Sequence, residues 1–248
     1  MRIASAVAAC GVLAFVLAPS GPARPLATVD APRQEALKPI ASPPTPASPA
    51  APTSAAGEVS ALEASREGRA AYDRGDVSAA AERFAAAVEA DPQNADVLNN
   101  LGQALVRSGR VGDALQHFDR AIALAPDVWA YRFNRARAYG ERREWARAVA
   151  EYRVALRLFP DDYVTEFNLA KALQADGRIN EALASFERAT RLAPGQADFH
   201  AALGRALEAA SRPREAAAAY RRYLELNPDE PSVDKIRARI GELEARGA

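Results

Sequence analysis

Residues 95–128 read ADVLNNLGQALVRSGRVGDALQHFDRAIALAPDV, and residues 129–162 follow without a break as WAYRFNRARAYGERREWARAVAEYRVALRLFPDD. Laid over one another, the two strings put Gly102 on Ala136, Ala114 on Ala148, Phe118 on Tyr152, Ala121 on Ala155 and Pro126 on Pro160. The register extends in both directions, because Pro92, Pro126, Pro160, Pro194 and Pro228 are each 34 residues from the next with no insertion or deletion. A strict period of this length is the mark of a stacked helical array, in which each unit buries its apolar face only against its neighbours.

With proline as position 32, repeats begin at Ala61, Ala95, Trp129, Tyr163 and Ala197. Position 8 is Gly68, Gly102, Ala136, Ala170 and Gly204; position 20 is Ala80, Ala114, Ala148, Ala182 and Ala216; position 24 is Phe84, Phe118, Tyr152, Phe186 and Tyr220. Small residues at 8 and 20 let two antiparallel helices approach closely, and the aromatic at 24 is expected to fill the space between neighbouring hairpins. Gly75, Gly109 and Gly177 supply the turn between the two helices in three repeats. Arg143 and Ser211 stand there in the third and fifth and must turn without glycine's freedom, and Pro213 suits the start of a helix.

These columns resemble the tetratricopeptide repeat family over residues 61–228, about two thirds of the chain. The resemblance implies an all-α fold, a right-handed α-solenoid of five helical hairpins (61–94, 95–128, 129–162, 163–196 and 197–228, within 58–228). A C-terminal capping helix and tail over 229–248 complete it. Val233, Ile236, Ile240 and Leu243 carry the apolar stripe of that helix, with Pro231 expected in its first turn. Position 27 is alanine in four repeats but Tyr223 in the last, a departure that suggests contact with the segment that follows. Repeat one, with Ala64 and Glu67 at positions where larger apolar residues are usual, has the character of a terminal repeat.

The resemblance also implies a role, recognition of another protein or peptide, in which the first helix of each hairpin lines a concave groove through positions 2, 5, 9 and 12 or 13. The ninth column is Arg69, Gln103, Arg137, Lys171 and Arg205, a ladder of four cations broken once. Position 6 adds Asn100, Asn134 and Asn168, and position 5 adds Asn99, Phe133 and Phe167. Together they describe a groove for an extended or helical peptide, apolar in its middle and carrying a carboxylate from acidic side chains or a free C-terminus. The competing reading is that the cations solvate an exposed face and the asparagines stabilise the hairpins. The terminal-carboxylate clamp of some tetratricopeptide co-chaperones needs basic residues at several other positions; only the position-6 asparagines are kept here, so that clamp is not supported.

Upstream of the array the composition changes. Arg2 precedes an apolar run from Ile3 to Ala18, the pattern of a signal peptide over 1–23 with cleavage after Ser20 or Ala23. The run is short for a spanning helix, and an uncleaved membrane anchor is the alternative. Val7-Ala8-Ala9-Cys10 has the form of a lipoprotein box but comes too early and is followed by more apolar residues. Residues 24–57 read as a disordered linker: ten of the 17 prolines lie between Pro19 and Pro52, interleaved with Ala, Ser and Thr as in Ser42-Pro43-Pro44-Thr45-Pro46. Signal, tether and solenoid point to a periplasmic or secreted scaffold in bacterial envelope assembly or secretion. Alternatives are a membrane-anchored form, a self-associating structural component and a non-catalytic regulatory subunit.

Gross composition narrows the remaining classes. The 32 basic and 32 acidic residues balance, so no global field gathers nucleic acid or anionic lipid. The one cysteine, Cys10, lies in the signal run, so a processed chain has neither a disulfide nor a thiolate metal site. No phosphate loop, zinc-protease signature or nucleophile elbow occurs, and no metal or cofactor is expected. His117 and His200 sit at unrelated repeat positions, and Asp161 and Asp162 adjoin Pro160 as a turn and helix cap, so no catalytic residue is assigned. Trp129, Trp145 and Tyr131 gather at the start and turn of repeat three, as an interaction patch or as filling between repeats.

Overall fold

A computed structural model describes residues 55–229 and 231–247, which lie in the larger of two units of the chain, Ile40–Ala248. The apolar run Ile3 to Ala18, expected as a signal peptide, and most of the expected linker fall outside the described residues. Ten helices form five antiparallel hairpins: α1 (Ala55–Asp73) with α2 (Val77–Ala90), α3 (Ala95–Arg107) with α4 (Val111–Leu124), and α5 (Trp129–Glu141) with α6 (Trp145–Leu158). The series continues with α7 (Tyr163–Ala175) and α8 (Ile179–Leu192), then α9 (Ala197–Ala209) and α10 (Pro213–Leu226). A last helix, α11 (Val233–Gly247), packs on α10. Each helix touches the one before and the one after, and α3 also meets α5, so the array is an all-α solenoid.

Two boundaries differ from the sequence expectation. Helix α1 begins at Ala55, six residues ahead of the repeat register, so residues 55–57 belong to it and not to the linker. The last linker proline is Pro52, and Ala55 and Ala56 are strong helix formers that extend a helix already nucleated by the hairpin. At the other end Pro231 lies in a turn, and the Ser232 carbonyl accepts the first helical bond, from Ile236 N at 3.0 Å. Ile240 and Leu243 are buried, Ile236 half-buried. Arg239 of α11 pairs with Glu208 of α9, closing the end of the stack with charge as well as apolar surface.

Close approach at position 8 sets the hairpin geometry. A Cβ added to Gly102 would stand 2.6 Å from Phe118 Cε1, one on Gly68 2.8 Å from Phe84 Cδ1, and one on Gly204 2.8 Å from Tyr220 Cε1. The position-24 ring therefore lies over the small residue of its own hairpin, rather than mainly between neighbours as the sequence suggests. Position 20 is fully buried alanine in all five repeats.

All five hairpin turns use one device. The residue at position 15 adopts positive φ, near +80° at Gly75, Gly109 and Gly177 and +58° at Arg143 and Ser211. The next residue's N–H closes a six-residue loop, as in Asp76 N to Ala71 O at 3.0 Å and Glu144 N to Tyr139 O at 2.9 Å. Arg143 and Ser211 adopt the same left-handed turn at a steric cost of about 1–2 kcal/mol, held by the flanking helices. Between hairpins, Arg120 donates to the Pro92 carbonyl at 3.0 Å and Arg188 to the Pro160 carbonyl at 2.7 Å, each tying a second helix to the proline turn of the preceding repeat.

Two glycine replacements separate packing from backbone entropy. Gly102→Ala drives a methyl into the Phe118 ring and is expected to lower stability by about 1–3 kcal/mol. Gly112→Ala, in the first turn of α4 with nothing within 4 Å of the added Cβ, is expected to raise it by about 0.4–1 kcal/mol. Urea midpoints moving in opposite directions check both.

Candidate functional site

Helical period puts position 9 one turn beyond position 5 on the same stripe of each first helix. Arg69, Arg137, Lys171 and Arg205 are exposed, whereas Gln103 is half-buried and its amide donates to Asn100 Oδ1 at 3.4 Å. Arg137, Lys171 and Arg205 are electrostatically coupled: Lys171 is held below the ordinary lysine pKa first by removal from water, then by the two flanking guanidinium groups, with Glu141 opposing. Although Lys171 is exposed as a residue, its ammonium is crowded by protein and lies 5.8 Å from the centroid of the Phe167 ring. Three successive repeats thus bring like charges together on one face, an arrangement that disfavours the charged form of Lys171.

The aromatics expected to anchor a ligand are only partly available. Phe133 and Phe167 are half-buried. Phe167 stacks on Phe199 of the next repeat, centroids 4.3 Å apart, and meets Phe186 edge-on at 5.6 Å. Phe133 packs edge-on against Tyr152 at 5.7 Å and Trp129 at 6.1 Å. Phe167 thus bridges repeats four and five, while the Phe133 ring contacts lie within repeat three.

The asparagines divide. Asn99 and Asn134 are buried, 7% and 8% exposed, and Asn134 Nδ2 donates to Asn99 Oδ1 at 2.9 Å. This pair joins α3 to α5 across the repeat boundary, and Asn134 also lines a shallow cleft with Gln103 and Arg137. A buried amide far from water is stable only when paired, and the neighbouring repeat supplies the partner. Asn168 Nδ2 donates to Val164 O of its own helix at 2.8 Å, and half-buried Asn100 accepts from Gln103. A shallow cleft beside them is lined by Tyr72, Gln103, Arg107 and Arg137 among others, with the Arg107 guanidinium 4.5 Å over the Tyr72 ring.

Other candidates resolve as structure. Tyr131 is buried and donates to Asp96 Oδ1 at 2.6 Å, so it does not join an aromatic patch with Trp129 and Trp145. Asp162 caps α7 by accepting from Thr165 N at 3.0 Å, and Asp161 lies 3.7 Å from Arg188. His200 is 3.1 Å from the Pro194 carbonyl. His117 is half-buried with its Nδ1 unpartnered, its pKa lowered by burial and then by Arg120. Among the described residues no group of His, Cys, Asp and Glu is placed to hold a metal ion.

A column that the sequence reading passed over links position 4 or 7 to position 23 in repeats one, three and four. In repeat three, Arg135 holds Glu151 at 2.7 Å and Asp119 at 2.5 Å, and Arg132 lies 3.4 Å from Glu151; Arg135 and Glu151 are each 14% exposed. Repeat one pairs Glu67 with Arg83 at 3.3 Å, and repeat four hydrogen-bonds buried Glu166 to Ser185. Opposite charges at positions 7 and 23 of repeats one and three were the available signal.

Comparison with known proteins agrees with this architecture. The tetratricopeptide repeat family model matches residues 65–128, 101–163 and 167–231. No curated protein matches the chain. Among solved structures, MamA from Desulfovibrio magneticus RS-1 (residues 41 to its end) aligns at TM-score 0.64 and 18% identity over 70% of this chain and 98% of its own. YrrB, a protein of the same repeat type described as having an unusual peptide-binding site, aligns at TM-score 0.57 and 18% identity over 68% and 88%. TTC0263, a thermophilic protein of this repeat type from Thermus thermophilus, aligns at 0.57 and 21% over 75% and 99%. These likenesses concern the fold.

Stability separates the two kinds of residue on this face. Asn134→Ala leaves the Asn99 carbonyl buried and unpaired and is expected to lower stability by about 1–3 kcal/mol. Arg137→Ala, at an exposed position, is expected to change it by no more than about 0.5 kcal/mol. Chemical denaturation of the two variants provides the check.

The columns at positions 8, 20, 24 and 32, the hairpin stack they build and the family match together make this chain a member of the tetratricopeptide repeat family.

Proposed function

We propose that this chain is an exported scaffold that binds a carboxylate-bearing peptide of a partner protein along the first-helix face, through Arg137, Lys171 and Arg205. The observation that carries the reading is the coupling of these three cations. Like charges gathered on one face disfavour each other, and a carboxylate laid along them relieves that repulsion while gaining charge-assisted hydrogen bonds. Arg69 extends the charge to the other end of the array, and the half-buried Phe133 and Phe167 offer an apolar middle. Asn100, Asn168 and Gln103 supply amides at the margin. Asn99 and Asn134 hold α3 against α5, and Asn134 also lines the cleft beside Gln103 and Arg137.

The fold supports a scaffold: in a solenoid the same face recurs at every repeat, so an extended ligand meets the same chemistry at regular intervals. A peptide-binding site is named for YrrB, which has this fold. The apolar run from Ile3 to Ala18 supports export, with the solenoid working in the periplasm or outside the cell and the proline-rich stretch as spacer. Among the described residues no helix is long and apolar enough to cross a membrane. An affinity in the micromolar range, about 8 kcal/mol, suits a contact of this kind, and it weakens as salt screens the exposed cations.

A crosslinking pull-down from bacterial envelope extract tests the reading, comparing the native chain with the combined Arg137→Glu, Lys171→Glu and Arg205→Glu variant. The expected result is a partner captured by the native chain alone, with unchanged helical circular dichroism. The same partners captured by both proteins would remove the basic face from consideration.

A further inference from the structure

Repeat three places large aromatics at two positions where the fold needs none. Position 1 is Ala61, Ala95 and Ala197 in repeats one, two and five, but Trp129 in repeat three and Tyr163 in repeat four. Position 31, the C-cap of each second helix, is Asp91, Ala125, Phe159, Ala193 and Asn227. Repeats two and five complete the same hairpin with small or polar residues at both places. Phe159 is nevertheless 45% exposed, and its ring is stacked on Trp129 at 5.4 Å with 23° between planes. Trp129 in turn meets Phe133 edge-on, so an aromatic ridge runs from the edge of the solenoid toward the first-helix face. Leu158, beside Phe159, is also exposed. An exposed Phe159 stacked on a half-buried Trp129, at positions that other repeats fill with small or polar residues, marks a docking surface.

Its occupant is suggested by what leaves the same edge. The first helices begin, and the second helices end, on one side of the array, so α1 starts on the side where Trp129 and Phe159 lie. Two repeats separate α1 from α5, roughly 20 Å at ordinary interaxial distances. The residues between Pro46 and Ala55 reach about 28 Å in an extended polyproline form, enough to cover that separation. Residues 41–54, ASPPTPASPAAPTS, contain Pro43, Pro44, Pro46, Pro49 and Pro52 and no charged side chain. Uncharged proline-rich segments dock on exposed aromatic surfaces because their extended form loses little entropy on binding and their rings pack on aromatic faces. The Trp129 indole N–H adds a donor for a backbone carbonyl.

The geometry points to an intramolecular contact in which the proline-rich segment 42–52 packs on the Trp129–Phe159 pair. The segment is then not only a spacer. It is a ligand of its own solenoid, held at millimolar effective concentration by its short connection to α1. The contact uses none of the cations of the first-helix face and stands or falls apart from their role.

Tryptophan fluorescence of the full chain tests it. Trp145→Phe leaves Trp129 as the only indole, because the chain has two tryptophans. In that background, replacing Pro43, Pro44, Pro46, Pro49 and Pro52 with serine is expected to shift Trp129 emission to the red. The acrylamide quenching constant is expected to rise about two-fold, as a weak contact at millimolar effective concentration is released. With Phe159→Ala also present, the serine replacements should make no further difference, as a double-mutant cycle requires of residues that share one contact. Equal quenching with and without the prolines overturns the proposal. So does an effect of the same size whether or not Phe159 is present, or an effect that disappears on dilution, which would assign the segment to a second copy.

Discussion

The contact between the position-24 ring and the position-8 backbone is the constraint on which the rest of this solenoid depends. With Gly102 Cα facing Phe118 there is no room for a methyl unless the ring moves, and the same holds at Gly68 with Phe84 and Gly204 with Tyr220. In repeats three and four, buried alanines at position 8 face Tyr152 and Phe186, so there the ring and backbone have already adjusted. This separation fixes how the two helices of a hairpin cross. The crossing in turn decides where the next hairpin lands and whether position 9 lines up from repeat to repeat. The face bearing Arg137, Lys171 and Arg205 is therefore a consequence of packing on the far side of the same helices.

Most of the fold was legible because its determinants repeat. A column of five small residues or five aromatics carries far more weight than any single residue, and the positive-φ turn at position 15 could be located at Arg143 and Ser211 only because glycines mark it in the other three repeats. Legibility failed where a residue's partner lay in another repeat or another helix. Asn99 and Asn134 belong to different columns, positions 5 and 6, and only the stacking of α3 on α5 joins them. The helix boundary at Ala55 was hidden for another reason: the period starts at Ala61, and nothing in a periodic pattern says how far its first helix runs past the first repeat.

The third repeat shows how the array accepts charge inside. Buried apolar residues form two groups, one from α1 into α5, the other from α5 to α11, and Tyr131 and Ala138 belong to the first while Ala136 belongs to the second. Between them stand Arg132 and Arg135, where repeat two has Leu98 and Leu101. Removing such cations from water is unfavourable unless each finds an opposite charge in good geometry. Asp119 of α4 and Glu151 of α6 supply it from both sides, so Arg135 links three helices while the apolar groups do not have to be continuous.

Charge on the first-helix face obeys a different rule. Arg135 is ion-paired within the protein through its two terminal nitrogens, so altering it disturbs contacts among three helices. Arg137, two residues on, points out of the hairpin, is exposed and has like charges for neighbours. A helix turns about 200° in two residues, and that rotation alone carries the guanidinium from an ion-paired interior to a crowded surface. Glu208, on the first-helix stripe of repeat five, is taken up by Arg239 of α11, so it does not neutralise Arg205. The terminal helix thereby does more than cover the last apolar face. By binding a carboxylate that would otherwise compete, it preserves the positive character of the strip at its Arg205 end.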